Sequence, residues 1–266
     1  MRIALCQITG TAEPAANLEL VRAGVARAAA EEATVAVFPE ATMAKFGTPL
    51  RELAEPIDGP WATEVATIAE QAGVLVVAGM FTPADSERVH NTLLVTGRGQ
   101  HLGYDKIHLY DAFGFRESRT VAAGDKPVTV EVDGATLGLA TCYDVRFPEL
   151  FQALADAGAS AVAVPASWGA GKGKLEQWEL LIRARALDAG CWVLGADQAD
   201  PAAHDIPVDP KIPTGIGHSL AADPFGNVHA RLGAAAGTLV TELDLAVAES
   251  SRHTTAVLAN RRLGRS

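Results

Sequence analysis

The sequence predicts an α/β protein in which mixed β-sheets are covered by helices, and three observations carry that expectation. Short apolar, β-branched runs outnumber the helical stretches, which lie far apart along the 266 residues. Residues 74–80 form a continuous apolar run of strand length, which suits a sheet covered on both faces. Two turn signals, Thr96-Gly97-Arg98-Gly99 and Asp133-Gly134, each sit between apolar runs and predict hairpins, so antiparallel pairs must be present. The strand count allows two sheets packed face to face with helices outside; periodicity alone equally admits one larger sheet.

Residues 1–8 read as the first strand, their apolar stretch being too short for a secretory signal. Over 17–30, Leu18, Val21 and Val25 recur on one helical face, which predicts an amphipathic helix packed on a sheet. Val35-Ala36-Val37-Phe38-Pro39-Glu40 is a strand stopped by its proline, which cannot donate to a central ladder, so Glu40 falls at the strand's carboxyl end. Asp58-Gly59-Pro60 opens a second helix with Trp61, Val65, Ile68 and Ala72 on its inner face, and Gly73 stops it. The strand over 74–80 follows, then a hairpin over 91–104, then a second hairpin pairing 128–132 with 135–141. Pro148 starts a helix to Asp156, a strand covers 159–165, and a helix over 174–189 leads to a strand over 191–196. The last strands are 217–223, 228–231 and 238–243, with Gly226-Asn227 as a turn. Residues 200–215 carry no periodic signal; such a stretch either lines the mouth of a site or is a mobile surface insertion.

No Gly/Ser linker or charge block divides the chain, so residues 1–266 are expected to form one domain with a substantial core. Hydrophobic residues make up 48% and charged residues 20%, as in ordinary soluble globular proteins. A formal net charge of −10 with no run of Lys or Arg argues against a nucleic-acid partner, which needs a phosphate-neutralising stripe. The seven histidines are scattered, with neither His-Glu-x-x-His nor Cys-x-x-Cys, so neither a metal nor a cofactor is expected. No apolar run approaches the ~20 residues that span a bilayer. Cys6, Cys142 and Cys191 cannot all pair, which suits a reducing compartment. The expectation is a cytoplasmic protein without a membrane partner.

Three strand ends offer chemistry. Glu40 brings a carboxylate. In Gly103-Tyr104-Asp105-Lys106-Ile107-His108-Leu109-Tyr110 a lysine follows a short strand. In Thr141-Cys142-Tyr143-Asp144-Val145-Arg146-Phe147-Pro148 an apolar strand breaks into a turn at Cys142, the geometry that exposes a nucleophile at a sharp corner. Each has an ordinary alternative: Glu40 as a solvated strand-end charge, Lys106 as a surface lysine paired to Asp105 or Asp111, Cys142 as a small buried hydrophobe. Ligand sites of open α/β sheets nevertheless assemble at strand ends. Gly217-His218-Ser219-Leu220-Ala221 nearly matches the serine nucleophile elbow but lacks its last glycine and lies inside an apolar strand.

Taken in order, these segments resemble the nitrilase superfamily of carbon-nitrogen hydrolases, whose members carry Glu, Lys and Cys in that sequence; the matching residues are Glu40, Lys106 and Cys142. Phe115-Arg116-Glu117-Ser118 resembles the stretch holding the family's second active-site glutamate, which maps onto Glu117. Val164-Pro165-Ala166-Ser167-Trp168, Arg183-Ala184-Arg185-Ala186-Leu187-Asp188 and the segment from Gly217 also resemble family segments, so the likeness spans nearly the whole chain. Cys-Tyr-Asp-Val-Arg-Phe-Pro-Glu-Leu is most similar to the branch of omega-amidases and amidases of deaminated glutathione. Asp105 departs, standing where relatives carry a basic residue, and 200–215 is unlike the family at any fixed position. The resemblance implies an αββα sandwich of two mixed β-sheets with outer helices and an internal pseudo-symmetry. It also implies homodimers, or larger assemblies, formed through the outer helices.

Hydrolysing an amide requires a strong nucleophile, a proton carrier and a place for developing negative charge. Cys142 would attack, Glu40 would accept its proton, and Lys106 with the backbone N–H of Tyr143 would hold the oxyanion, leaving a thioester for water to cleave. Glu117 orients Lys106 in the family pattern; alternatively it pairs with Arg116 or Arg119. Arg116, Arg119 and Arg146 lie close in sequence to these residues on an otherwise acidic chain, a patch that would favour a substrate carrying a carboxylate. Salt bridges to Glu117, Asp144 or Glu149 would explain the same arginines, and Arg183 and Arg185 would anchor their own helix. Phe113 and Trp168 either wall the pocket or belong to the core. The expected reaction is cleavage of a small linear amide; a nitrile or N-carbamoyl substrate shares the thioester step. A catalytically silent binding protein is the alternative of another class, and the intact Glu40, Lys106 and Cys142 speak against it.

Overall fold

Successive strand residues face opposite sides, and in both halves of the chain both sides are apolar, so each sheet must be covered twice. The computed structural model describes residues 1–207, 209 and 212–263. β1 (Arg2–Gln7), β2 (Val35–Val37), β3 (Leu75–Pro83), β4 (Val89–Gly97), β5 (Gln100–Asp105) and β6 (Val121–Ala122) lie in one sheet. β7 (Thr129–Val132), β8 (Ala135–Leu139), β9 (Ala161–Ala166), β10 (Trp192–Asp197), β11 (Leu220–Ala222) and β12 (Val228–Arg231) form the other, and β13 (Gly237–Glu242) returns to the first. The strand orders are β13-β1-β2-β3-β4-β5, with β6 beside β4, and β12-β11-β10-β9-β8-β7.

In the first sheet β1, β2 and β3 are parallel. Their crossovers hold α1 (Pro14–Ala30), a single turn α2 (Leu50–Leu53) and α3 (Pro60–Ala72), and antiparallel β4 and β5 follow. In the second sheet β8, β9 and β10 are parallel, joined through α4 (Pro148–Asp156) and α5 (Lys174–Ala189), and antiparallel β11 and β12 follow. The same succession occurs twice, which is the pseudo-symmetry the family likeness implies. α6 (Ala246–Thr255) and α7 (Val257–Asn260) come last.

Ile3, Leu5, Val35, Val37 and Val77 meet Leu137, Leu139, Ala161, Ala163 and Leu194 between the sheets. The alternate residues Ala4, Cys6, Ala36 and Phe38 pack under α1 and α3 against Val21, Val25, Trp61 and Val65. Val162, Val164 and Val193 pack under α4 and α5 against Phe151, Trp178 and Ile182. The result is the expected αββα sandwich of two mixed sheets. α4 and α5 run over the residues expected for them, α4 opening at Pro148. β11 is shorter than the predicted 217–223, because Gly217 and His218 take φ of +71° and +56°, outside strand geometry. No helix among the described residues is long and apolar enough to cross a membrane.

Gly79 on β3 supports the segment that follows β2. Its N–H donates to the Pro39 carbonyl (3.1 Å) and its carbonyl accepts from the Met43 N–H (2.8 Å). A Cβ here would lie 2.4 Å from the Ala41 nitrogen and 2.9 Å from the Glu40 Cα. Gly79→Ala must therefore push the Glu40 turn off the sheet. The expected loss of stability is about 1–3 kcal/mol, read from the urea unfolding midpoint.

Candidate active site

Glu40 stands three residues past β2, Lys106 directly after β5, and Cys142 three residues past β8, so the ends of strands from both sheets converge. Glu117 opens a short 3₁₀ turn over Glu117–Arg119. All four are buried: Glu40 is 1% exposed, Lys106 2%, Glu117 3% and Cys142 9%. The Lys106 ammonium donates to Glu40 Oε1 at 2.9 Å and to Glu117 Oε2 at 2.9 Å. Burial alone would lower the ammonium's pKa, but the Glu117 and Glu40 carboxylates outweigh it and hold the group well above its usual range.

The ordinary alternatives for Glu40, Lys106 and Glu117 are not realised, Glu40 being buried rather than solvated. Asp105 accepts from Thr92 Oγ1 (2.6 Å) and Asp111 from the Ser118 N–H and hydroxyl (3.0 and 2.6 Å), so neither holds Lys106. Arg116 and Arg119 are exposed, and the ion pair of Glu117 is with Lys106.

Cys142 adopts φ +46° at the head of the turn Cys142–Arg146, a left-handed conformation that costs a residue with a Cβ about 1–2 kcal/mol. Burial, reinforced by the negative Glu40 beside it, pushes the thiol well above its ordinary range, against the opposing pull of Lys106. The resting sulfur is therefore protonated at neutral pH and adjoins a carboxylate.

Four further groups hold the site's carboxylates or lie beside them. Asn91 on β4 donates its amide to Glu40 Oε1 (2.8 Å) and to Glu117 Oε1 (3.1 Å). The backbone N–H of Ser167, just past β9, donates to Glu40 Oε2 (2.9 Å), and that of Tyr110 to Glu117 Oε2 (2.6 Å). Asp197, at the end of β10 and fully buried, accepts from the backbone N–H groups of Trp168 and Ile216, both at 2.8 Å. Burial pushes its carboxyl up to about 7, the backbone donors opposing and the Glu40 charge adding.

Glu40, Lys106, Glu117, Cys142 and Ser167 line one cleft. Tyr110, Phe115, Tyr143 and Trp168 supply aromatic walls, and Arg146 and Lys174 line it as cations. Arg146 donates to Gln177 Oε1 (2.9 Å) and stands 5.2 Å from the Trp168 ring centroid, while its buried Nε has no partner. It forms no ion pair with Glu117, Asp144 or Glu149, which corrects the salt-bridge alternative for this residue. Arg116 and Arg119 do not reach the cleft. Arg185 does anchor its helix, to Asp188 (2.7 Å) and to the Val145 carbonyl (2.9 Å). Arg183 is held instead by the Gly226 carbonyl at 2.7 Å.

Trp168 is both wall and core, 3% exposed with its indole N–H on the Lys174 carbonyl (3.0 Å). Phe113 is neither. It is 72% exposed at the mouth, turned out by φ +54°, with the Lys174 Nζ 3.8 Å from its ring centroid. Pro213 lines the cleft and its carbonyl accepts from the Ser167 hydroxyl (2.9 Å), so this part of 200–215 is mouth-lining; Val208, Pro210 and Lys211 lie outside the described residues. Ser219 is buried on Gln7 Oε1 (2.8 Å), away from the cleft. Among the described residues no cluster of His, Cys, Asp or Glu is arranged to hold a metal ion.

The sequence pattern of the carbon-nitrogen hydrolases matches residues 2–253. A Mycobacterium tuberculosis protein named as a hydrolase is 52% identical over 266 residues, covering 98% of this chain and 95% of its own. The deaminated glutathione amidase of Escherichia coli O157:H7 is 31% identical over 267 residues, covering 98% and 97%. Among solved structures, a glutamate-to-glutamine variant of the amidase from Nesterenkonia sp. AN1, described as of the nitrilase superfamily, superposes with a TM-score of 0.81 at 26% identity, covering 98% of this chain and 96% of that one. That structure shows Michael addition of acrylamide at the active site cysteine.

Asp197 makes the site's pH dependence testable through stability. Its folded pKa, about 7, lies above the ordinary value near 4 of an unfolded aspartate. The folded state thus binds the proton more tightly, and stability falls as pH rises from about 4 to about 7. Asp197→Asn removes this dependence. The variant's stability relative to wild type is expected to climb across that window and level off above it, read from urea unfolding at pH 5, 6, 7 and 8.

Proposed function

The chain belongs to the carbon-nitrogen hydrolase family and is an enzyme of that amidase-bearing class; we propose that it hydrolyses a small linear amide carrying a carboxylate, through a thioester on Cys142. The observation that carries this is the buried contact of Lys106 with both Glu40 and Glu117 beside a protonated thiol. A thiol so held needs a base at the moment of attack, and Glu40 adjoins it. The S–H proton passes to Glu40 as sulfur bonds to the carbonyl carbon, and the carbonyl π pair moves onto oxygen. Lys106 and the Tyr143 backbone N–H receive that oxyanion. Collapse breaks the C–N bond as Glu40 returns the proton to nitrogen, releasing ammonia or an amine. Glu40 then takes a proton from water, the hydroxide adds to the thioester, and collapse expels sulfur, which regains its proton.

The acyl end is read from Arg146 and Lys174, two cleft-lining cations with no carboxylate partner among the described residues, on a chain of net charge −10. An arginine fork binds a carboxylate through two parallel hydrogen bonds. The amidase relative named for deaminated glutathione agrees with an acidic substrate. The unpaired state of Cys6, Cys142 and Cys191 supports a reducing compartment such as the cytoplasm. A homodimer through the outer helices is supported by Leu180 and Leu187, 62% and 44% exposed and seven residues apart on α5.

Two measurements test these readings. Amides with and without a distal carboxylate are offered while ammonia release and intact mass are followed. Wild type is expected to turn over the acidic amides, and Cys142→Ala to lose turnover and adduct together; ammonia release persisting at the wild-type rate would sink the mechanism. In Glu40→Gln the charge that raises the thiol pKa is gone, so acrylamide still labels Cys142 while turnover falls about 10²–10⁴-fold. Arg146→Gln raises KM for the acidic amide selectively. For the assembly, sedimentation of wild type against the Leu180→Glu, Leu187→Glu double variant is expected to read dimer against monomer, and a monomeric wild type would end that reading.

A further inference from the structure

Asp144 is fully buried, and each of its oxygens accepts two hydrogen bonds. Oδ2 takes the Tyr104 hydroxyl (2.7 Å) and the Thr141 N–H (2.8 Å). Oδ1 takes the His108 backbone N–H (2.9 Å) and His108 Nδ1 (2.7 Å), so Nδ1 carries the ring proton. The His108 ring also stacks on Phe147, 3.7 Å between centroids and 7° from parallel. Tyr104 and His108 bracket Lys106 two residues to either side, while Thr141 and Asp144 bracket Cys142 and Tyr143. One carboxylate therefore ties the end of β5 to the end of β8, strands of different sheets that share no ladder.

We infer that Asp144 is a positioning residue that sets the separation between the Lys106 ammonium and the Tyr143 backbone N–H, the two donors to the oxyanion. The inference rests on the amidase reading above. The left-handed turn at Cys142 aims the Tyr143 N–H, and the Asp144–Thr141 bond closes that turn on itself. The three bonds to Tyr104 and His108 hold the lysine strand end against it. The arrangement favours a carboxylate: an asparagine would present an NH₂ group to the backbone N–H of His108 or of Thr141 and leave that buried donor unpaired.

Asp144→Asn tests it. Turnover is measured per active site, titrated by acrylamide labelling of Cys142 followed by intact mass, which discounts any unfolded fraction. The expected result is a fall in kcat of about 10²-fold with KM within about threefold, since the donors act on the transition state rather than on substrate binding. Should that variant not fold, Tyr104→Phe and His108→Ala each remove part of the clamp; each is expected to lower kcat several-fold with KM held, and their effects to be non-additive. A kcat per titrated site within threefold of wild type in all three variants would overturn the inference, whatever their thermal stability. Acrylamide addition also places charge on the amide oxygen, so its rate at Cys142 reads the clamp without turnover. If wild type hydrolyses no amide, the functional reading fails; if the labelling rate is unchanged in the variants, the positioning role fails.

Discussion

The Lys106 ammonium, held between the Glu40 and Glu117 carboxylates, is the interaction on which the rest of the site depends. Three charges removed from water cost several kcal/mol each unless every one is paired and hydrogen-bonded. Here one cation meets two anions at 2.9 Å. The surplus negative charge is met by Asn91 and by the backbone N–H groups of Ser167 and Tyr110. Removing Lys106 leaves two buried carboxylates uncompensated, so the cluster constrains the ends of β2, β5 and β9 and the turn at Glu117 together. The geometry needed for chemistry and the geometry needed to bury the charges are the same geometry.

The repeated topology explains how distant segments reach one place, and its asymmetry explains why only one site forms. The register pairs Ile3 with Val35 in the first sheet and Leu137 with Ala161 in the second. Counting forward from these pairs, Pro39 matches Pro165 and Glu40 matches Ala166, while Cys142 matches Ile8. The two halves keep a proline at the equivalent position, past the end of β2 in the first and inside β9 in the second, but place their reactive side chains on different strands. The first half supplies Glu40, Lys106 and Glu117; the second supplies Cys142 and the Ser167 N–H. Packing the sheets face to face is what brings thiol and base together, so the site belongs to the sandwich rather than to either sheet.

Much of this was legible in the residues, for identifiable reasons. Proline at the first helical position marked the start of α4, and the proline after Phe38 gave Glu40 its strand end. α6 was not legible because it buries only Ala248 and Ser251, leaving no apolar stripe. Asn91 is a single amide inside an apolar strand, with nothing in its neighbours to set it apart. Ser167 acts on Glu40 through its backbone N–H, which nearly any residue could supply, so no side-chain signal exists. Phe113 lies at the mouth, beside Tyr110, Phe115 and Lys174, and its left-handed φ followed by Gly114 carries no periodic signal. Lys174 has no partner close in sequence; it reaches the cleft because α5 begins there.

The same cluster bears on why a protonated thiol can serve as nucleophile in so buried a setting. At rest the site holds one ammonium, two carboxylates and a neutral thiol, a net charge of minus one. In the proposed mechanism sulfur attacks and Glu40 takes the proton, so that Glu40 would become neutral and the substrate oxygen negative. The net charge is unchanged; one negative charge has moved from the carboxylate to the oxyanion. Lys106, already 2.9 Å from Glu40 Oε1, needs only to share its protons differently to follow that charge. Glu117, held by the Tyr110 N–H and by Asn91, keeps the ammonium in place while its other partner loses charge. A low-dielectric site that already holds its dipoles where charge will develop has little reorganisation left to do in the transition state. The proposed mechanism thus gives the two carboxylates around one lysine different tasks: Glu40 would exchange its charge with the substrate, and Glu117 would not.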